Sequence, residues 1–290
     1  MVRDEKLVQS GWRLSKEMAL LNASQATATI APVTLALNES SKLSDFGKKL
    51  VEIGFIFSPL AGSQRLRNKL NLNISEKDLL AALKFILEKG WQNIRFKFMI
   101  GLPTESEQDL REIANLMEKC TETAQPFSDV QISVSVQIFS PTPHTPFQWE
   151  SAESMDTLSP KVALLTEQLQ KLSLNFNIQD PFTSNLKTVF QRGGRELAAV
   201  VEYAWQSGVR FDGSEETSNK ALWQQAFRQK GVTIDDYLAP ISITVRLPWE
   251  HIDFGFSKAF LKEEKQLAYQ GKLHPNNKSI VTIGDGFSEG

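Results

Sequence analysis

The stretch Ile94-Arg95-Phe96-Lys97-Phe98-Met99-Ile100-Gly101-Leu102-Pro103-Thr104-Glu105 decides how the rest of the chain is read. Its first seven residues are β-rich and densely apolar, which suits a parallel strand buried on both faces better than an alternating antiparallel one. Gly101 and Pro103 break the strand, and Thr104 or Ser106 can cap a following helix. That helix runs to Cys120 with Leu110, Ile113, Ala114 and Met117 on one face. A strand, a tight Gly/Pro turn and a helix form half of a βαβ unit. Ligands are held at such turns, beyond the carboxyl ends of parallel strands.

Working outward, Ser75 caps an amphipathic helix to Lys89, with Leu79, Leu83, Ile86 and Leu87 on its stripe, Asp78 as the capping-box acid and Gly90 as the stop. Phe55-Ile56-Phe57 reads as a short buried strand, and residues 130–139 (VQISVSVQIF) as a strand with apolar and polar residues alternating. This order predicts the three strands 55–57, 94–100 and 130–139 as parallel neighbours. Their following loops, 58–63, 101–105 and 140–147, then leave one edge of the sheet. Upstream, residues 29–37 read as an edge strand because of Pro32, and residues 44–53 as a helix stopped by Gly54.

At 290 residues and 32.6 kDa the chain is long enough for one large domain or two modest ones. A net charge of −2 gives no reason to expect nucleic acid. No apolar run approaches the roughly 20 residues of a membrane helix, and the N-terminus lacks the apolar core of a signal peptide. A cytoplasmic protein is the expectation. The single cysteine, Cys120, excludes an intramolecular disulfide framework and any site built from several of its own thiolates.

The expected plan has four parts: a weakly patterned segment 1–28, an α/β unit 29–150, a mainly helical region 151–262 and a polar tail 263–290. Helices are expected at 158–172, 195–207 and 221–230. The candidate binding residues are Gly62 and Ser63 after the first strand, and Gly101, Leu102, Pro103 and Glu105 after the second. Each has a plain structural reading as well. Gly101 and Pro103 are turn formers, Glu105 suits the first turn of a helix, and Gly62-Ser63 can be a simple N-cap. Arg65, Arg67 and Lys69 read as a solvated helix face, and Cys120 as a buried inert thiol. His144 sits in a Pro-rich loop, and a metal role would need His251 or His274 as partner.

Five segments in order carry a resemblance: FSPLAGSQRLR (57–67), KFMIGLPTE (97–105), SPTPHTPFQWE (140–150), GVRFDG (208–213) and LPWEHIDFGFSKAFL (247–261). Together they resemble motifs of radical S-adenosylmethionine enzymes, specifically a subgroup that carries a cobalamin-binding-type domain ahead of its barrel. The resemblance covers residues 43–262. It implies a partial (β/α) barrel with parallel strands, followed by a mainly helical region. It also implies S-adenosylmethionine bound at a four-iron–four-sulfur cluster and cleaved to a 5′-deoxyadenosyl radical. In that family the GLPTE turn, residues 101–105, lies along the adenine, and the turn of Gly62 and Ser63 follows a strand that contacts the ribose and methionine.

The departures shape the functional expectation. No CxxxCxxC exists in the 290 residues, and Leu60 stands where the family has a glutamate before AGS. The resemblance is therefore to the carboxyl-terminal half of the barrel, truncated and inactive alone, with no catalytic residue and no metal ligand assigned. Two alternatives stand beside it: one half of a split enzyme whose missing strands and cysteines come from another polypeptide, or a non-catalytic remnant that binds a ligand or partner. Whether the chain is an enzyme is left open.

Overall fold

A computed structural model describes residues 54–72, 74–210, 219–253 and 255–272, and a two-residue strand at Ala28–Thr29. The expected helix 44–53, most of the strand 29–37, the segment 1–28 apart from Ala28, and residues 273–290 lie outside the described residues. So do residues 211–213 of the GVRFDG motif.

The strands are β1 (Ala28–Thr29), β2 (Phe55–Leu60), β3 (Asn93–Ile100), β4 (Gln131–Ile138) and β5 (Asn175–Ile178), lying side by side in that order. β2 through β5 are parallel, and β1 pairs antiparallel with β2. The three expected strands are thus parallel neighbours. Between β2 and β3 run α1 (Gln64–Lys69) and α2 (Glu76–Glu88). Then come α3 (Glu107–Ala124) after β3 and α4 (Met155–Lys171) after β4. Ser75 with Asp78, and Ser106 with Asp109, form complete capping boxes at the starts of α2 and α3.

One face of the sheet is the main core. Phe55, Phe57, Ile94, Phe96, Phe98, Ile100, Ile132, Val134, Val136 and Ile138 pack on the apolar stripes of α2, α3 and α4. Phe57 stacks on Phe96 across the strands. The expectation that β3 is buried on both faces is corrected here. Arg95 is exposed and Lys97 and Met99 half-buried, alternating with the buried Ile94, Phe96, Phe98 and Ile100. The helices α2, α3 and α4 pack on the buried face.

Two further differences have local causes. β2 continues through Leu60 rather than ending at Phe57. Its pairing with β3 shifts between Phe57 and Leu60, where Pro59 has no N–H to give the ladder and Leu60 takes a left-handed φ of 57°. The sheet also runs past residue 150, because β5 pairs with β4 inside the region expected to be mainly helical. Helices do dominate after it: α5 (Pro181–Arg192), a 3₁₀ turn at Arg195–Leu197, α6 (Ala198–Gln206), α7 (Lys220–Gln229), α8 (Ile234–Leu238) and α9 (Lys258–Gln270). α5 to α7 share a core of Phe182, Val189, Val200, Trp223 and Phe227. Residues 263–270, expected in a tail, belong to α9. No described helix is long and apolar enough to cross a membrane.

Candidate functional site

Parallel pairing places the loops after β2, β3 and β4 on one edge of the sheet. Ala61, Leu102 and Phe139, one from each loop, and Leu66 of α1 close into a single buried cluster with Met99, Leu70 and Phe147 around it. The rim is a packed structure rather than three separate loops.

Its polar centre is Asp109, which the sequence reading missed. The Ser63 hydroxyl donates to Oδ1 at 2.5 Å, and Oδ2 accepts from the Ser106 hydroxyl at 2.6 Å and the Ser106 amide at 2.8 Å. Arg65 pairs with the same oxygen and donates to the Thr104 carbonyl at 3.0 Å, while Lys69 donates to the Thr104 hydroxyl at 2.6 Å. Burial pushes the Asp109 carboxyl up, but the donors from Ser106, Ser63 and Arg65 outweigh it and hold it at about 2. The Ser-x-x-Asp spacing of a capping box was the local signal for Asp109. Its tie to Ser63, 46 residues away, had none.

Each candidate residue is already engaged. Gly62 lies so close to α3 that a Cβ there would sit 2.2 Å from the Ile113 nitrogen, so its glycine identity serves helix–loop packing. Ser63 N-caps α1, accepting from the Leu66 amide while donating to Asp109. Gly101 adopts φ 74°, and its amide donates at 2.9 Å to the Glu105 carboxylate. Leu102 is buried in the rim cluster, and Pro103 is half-buried beside it.

Glu105 departs from expectation. It precedes the N-cap Ser106 rather than lying in the first helical turn, and its side chain is 1% exposed. Lys161 of α4 donates to it at 2.8 Å and to Glu153 at 2.6 Å. Burial raises the Glu105 carboxyl, with Lys161 and the Gly101 amide pulling it back. Held between two carboxylates, Lys161 stays ionised, its own burial more than offset.

The basic residues divide as well. Arg67 is buried, not solvated. It donates to the carbonyls of Ile74 at 3.1 Å, Ala61 at 3.1 Å and Gly62 at 2.5 Å, so it staples the loop after β2 from behind. On the other side of the rim the buried Arg192 donates to four carbonyls, those of Gln148, Glu150, Tyr237 and Ala239. Burial pushes its guanidinium down to about 10. The Gln148 amide oxygen accepts from Trp249 Nε1 at 2.7 Å and from the His144 amide at 3.0 Å. With Trp149, Leu247, Trp249 and Leu261 in one cluster, this clasp ties the loop after β4 to α9.

The arrangement positions loops; it does not present an acid–base pair. Ser63 has a carboxylate neighbour but no histidine, and Glu105 is occupied by Lys161. No group of three or more metal-ligating side chains occurs among the described residues. His144 and His251 lie in different loops, His251 Nδ1 being 2.9 Å from the Pro248 carbonyl, and His274 is outside the described residues. Cys120 is fully buried within α3, where burial lifts its thiol to about 12. It does not fit the ligand set of an iron–sulfur cluster, which needs several cysteine thiolates converging on one site.

Over 148 residues, 51% of its length, the chain is 27% identical to an uncharacterized protein of Methanocaldococcus jannaschii. The matched segment spans 32% of that relative, so the chain covers about a third of its length. No protein-family profile matches the chain, and no solved structure does.

Proposed function

We propose that the chain is a radical-SAM-like protein, the carboxyl-terminal part of a (β/α) barrel related to enzymes that cleave S-adenosylmethionine at a four-iron–four-sulfur cluster. On this reading these 290 residues do not act alone. The observation that supports it most is the single rim made by the loops after three adjacent parallel strands, packed around Ala61, Leu66, Leu102 and Phe139. Those loops carry the first three of the five resembling segments. The cluster itself does not fit this chain, because Cys120 is the only cysteine and is sealed in the core. The role of the rim is to shape one side of a cofactor site, with the thiolates and remaining strands supplied from outside these 290 residues; in the split-enzyme form of this reading they come from another polypeptide.

A second reading, a non-catalytic ligand- or partner-binding remnant, has its own support. Ser63, Gly101 and Glu105 spend their polar groups on one another and on Asp109 and Lys161, and Leu60 offers no acceptor. Affinity purification of the tagged chain from its own cells, followed by anaerobic iron determination, separates the two. A co-purifying polypeptide with a CxxxCxxC segment and about four irons per complex supports the split enzyme. A chain recovered without iron or partner supports the remnant. A chain that retains the four irons by itself contradicts both.

A further inference from the structure

Helix α6 is apolar on two sides, and only one of them is buried. Leu197, at its start, with Val200 and Ala204 faces the core shared with α5 and α7. Away from that core, Ala198, Val201 and Trp205 recur at intervals of three and four residues and so form one stripe of the helix. All three are exposed, Val201 by 43% and Trp205 by 58%. Tryptophan is a highly buried residue on average, and a contiguous exposed apolar stripe marks an interaction surface. Arg210 stacks its guanidinium on the indole, 4.8 Å from the ring centroid, which steadies the ring without covering it.

Two charges run along one flank of this stripe. Arg195 lies in the 3₁₀ turn that leads directly into α6, and Glu202 lies seven residues further on. That spacing is two turns, about 10 Å along the axis, too far for the two to pair with each other. Both are exposed. Among the described residues Arg195 has no ion-pair partner, and Glu202 accepts a single 3.4 Å bond from Gln206. The stripe also grades from its smallest residue, Ala198, to its largest, Trp205. When two copies of such a helix meet antiparallel across a two-fold axis, equal flanks face each other in reverse order. Arg195 of each copy then lies beside Glu202 of the other, Ala198 leaves room for the partner's Trp205, and the two Val201 side chains meet near the axis. A partner of unrelated sequence would not require this internal match of charge and size.

We propose that α6 is the interface of a homodimer, in which two copies of this chain pack antiparallel through Ala198, Val201 and Trp205 and are clasped by two Arg195–Glu202 ion pairs. A helix of nine residues makes a small contact, so the dimer belongs to the weak, micromolar class. The surface shares no residue with the rim and does not rest on the radical-SAM-like reading. A monomeric chain leaves the rim account standing, and the absence of an iron–sulfur partner leaves the dimer standing.

Sedimentation equilibrium of the full chain, from low to high micromolar concentration, tests this. The expected result is a concentration-dependent rise from 32.6 kDa towards twice that mass. Trp205→Ala should weaken association at least about tenfold, as truncation of an aromatic anchor does. Arg195→Glu sets like charges against each other and should also weaken it, by about tenfold. Arg195→Glu combined with Glu202→Arg should restore wild-type association, because the exchange rebuilds both pairs in reverse. These side chains are exposed, so the monomer's fold is retained, which circular dichroism of each variant verifies. A mass that stays monomeric throughout, a dimer indifferent to Trp205→Ala, or a double exchange that associates no more tightly than Arg195→Glu alone overturns the proposal.

Discussion

Replacing Asp109 by Asn asks how much one carboxylate contributes to the rim. A carboxyl held at about 2 in the folded chain, against 3.8 for the free side chain, contributes about 2.5 kcal/mol at neutral pH. Counting bonds gives a similar figure. The α3 cap from Ser106 is worth about 1 kcal/mol, the Ser63 hydroxyl bond about 1, and the half-exposed Arg65 pair less than 1. The two routes describe the same interactions and do not add. Because the folded value is depressed, the contribution is fully present above about pH 4 and is lost as pH falls through about 2. Urea unfolding of wild type and Asp109→Asn should therefore differ by about 2–3 kcal/mol at pH 7 and converge towards pH 2. A difference below about 0.5 kcal/mol at pH 7, within the range of an unexceptional surface change, would refute the reasoning. So would a gap that stays constant down to pH 2.

Three other outcomes follow from the same geometry. Gly62→Ala must push its Cβ into the backbone of α3 at Ile113; a loss of at least about 2 kcal/mol is expected in thermal or urea unfolding, and a neutral result would show that the loop is free to move. Arg192→Leu strands four carbonyls from two segments and should cost at least about 2 kcal/mol; protease cleavage within 140–150 or 237–249 should rise with it. Cys120 should resist an aromatic disulfide reagent in native buffer at neutral pH and react fully in denaturant; rapid native labelling would contradict its burial.

What the sequence disclosed, and what it withheld, divides along the range of the forces involved. The helix from Ser75, the alternation of 131–138 and the break at Gly101 rest on caps, periodicity and turn chemistry within a few residues, and all were legible. β5 was not. NFNI is four residues long and half-polar, and it becomes a strand only because β4 offers it an edge. Glu105 read as a first-turn acid, yet it lies one residue before the N-cap, and Lys161, 56 residues on, draws its carboxylate into the interior. Arg67 looked like a solvated face, whereas unpaired carbonyls of Ala61, Gly62 and Ile74 recruit it inward. The polar face of β3 was encoded in Arg95 and Lys97, whose charge was outweighed in the reading by the phenylalanines around them.

On the function proposed above, this chain shapes one side of a cofactor site but does not hold the cofactor by itself. In the enzymes that this chain is proposed to resemble, the methionine end of S-adenosylmethionine is held by the cluster and by an acid where Leu60 stands. Two or three charge-assisted bonds at about 1.5–3 kcal/mol each are absent here, enough to carry a micromolar ligand to about millimolar or weaker. Isothermal titration of S-adenosylmethionine into the purified chain, with Leu60→Glu alongside, measures this directly. The account predicts no saturable heat below about 1 mM for the unmodified chain; a micromolar dissociation constant would contradict it.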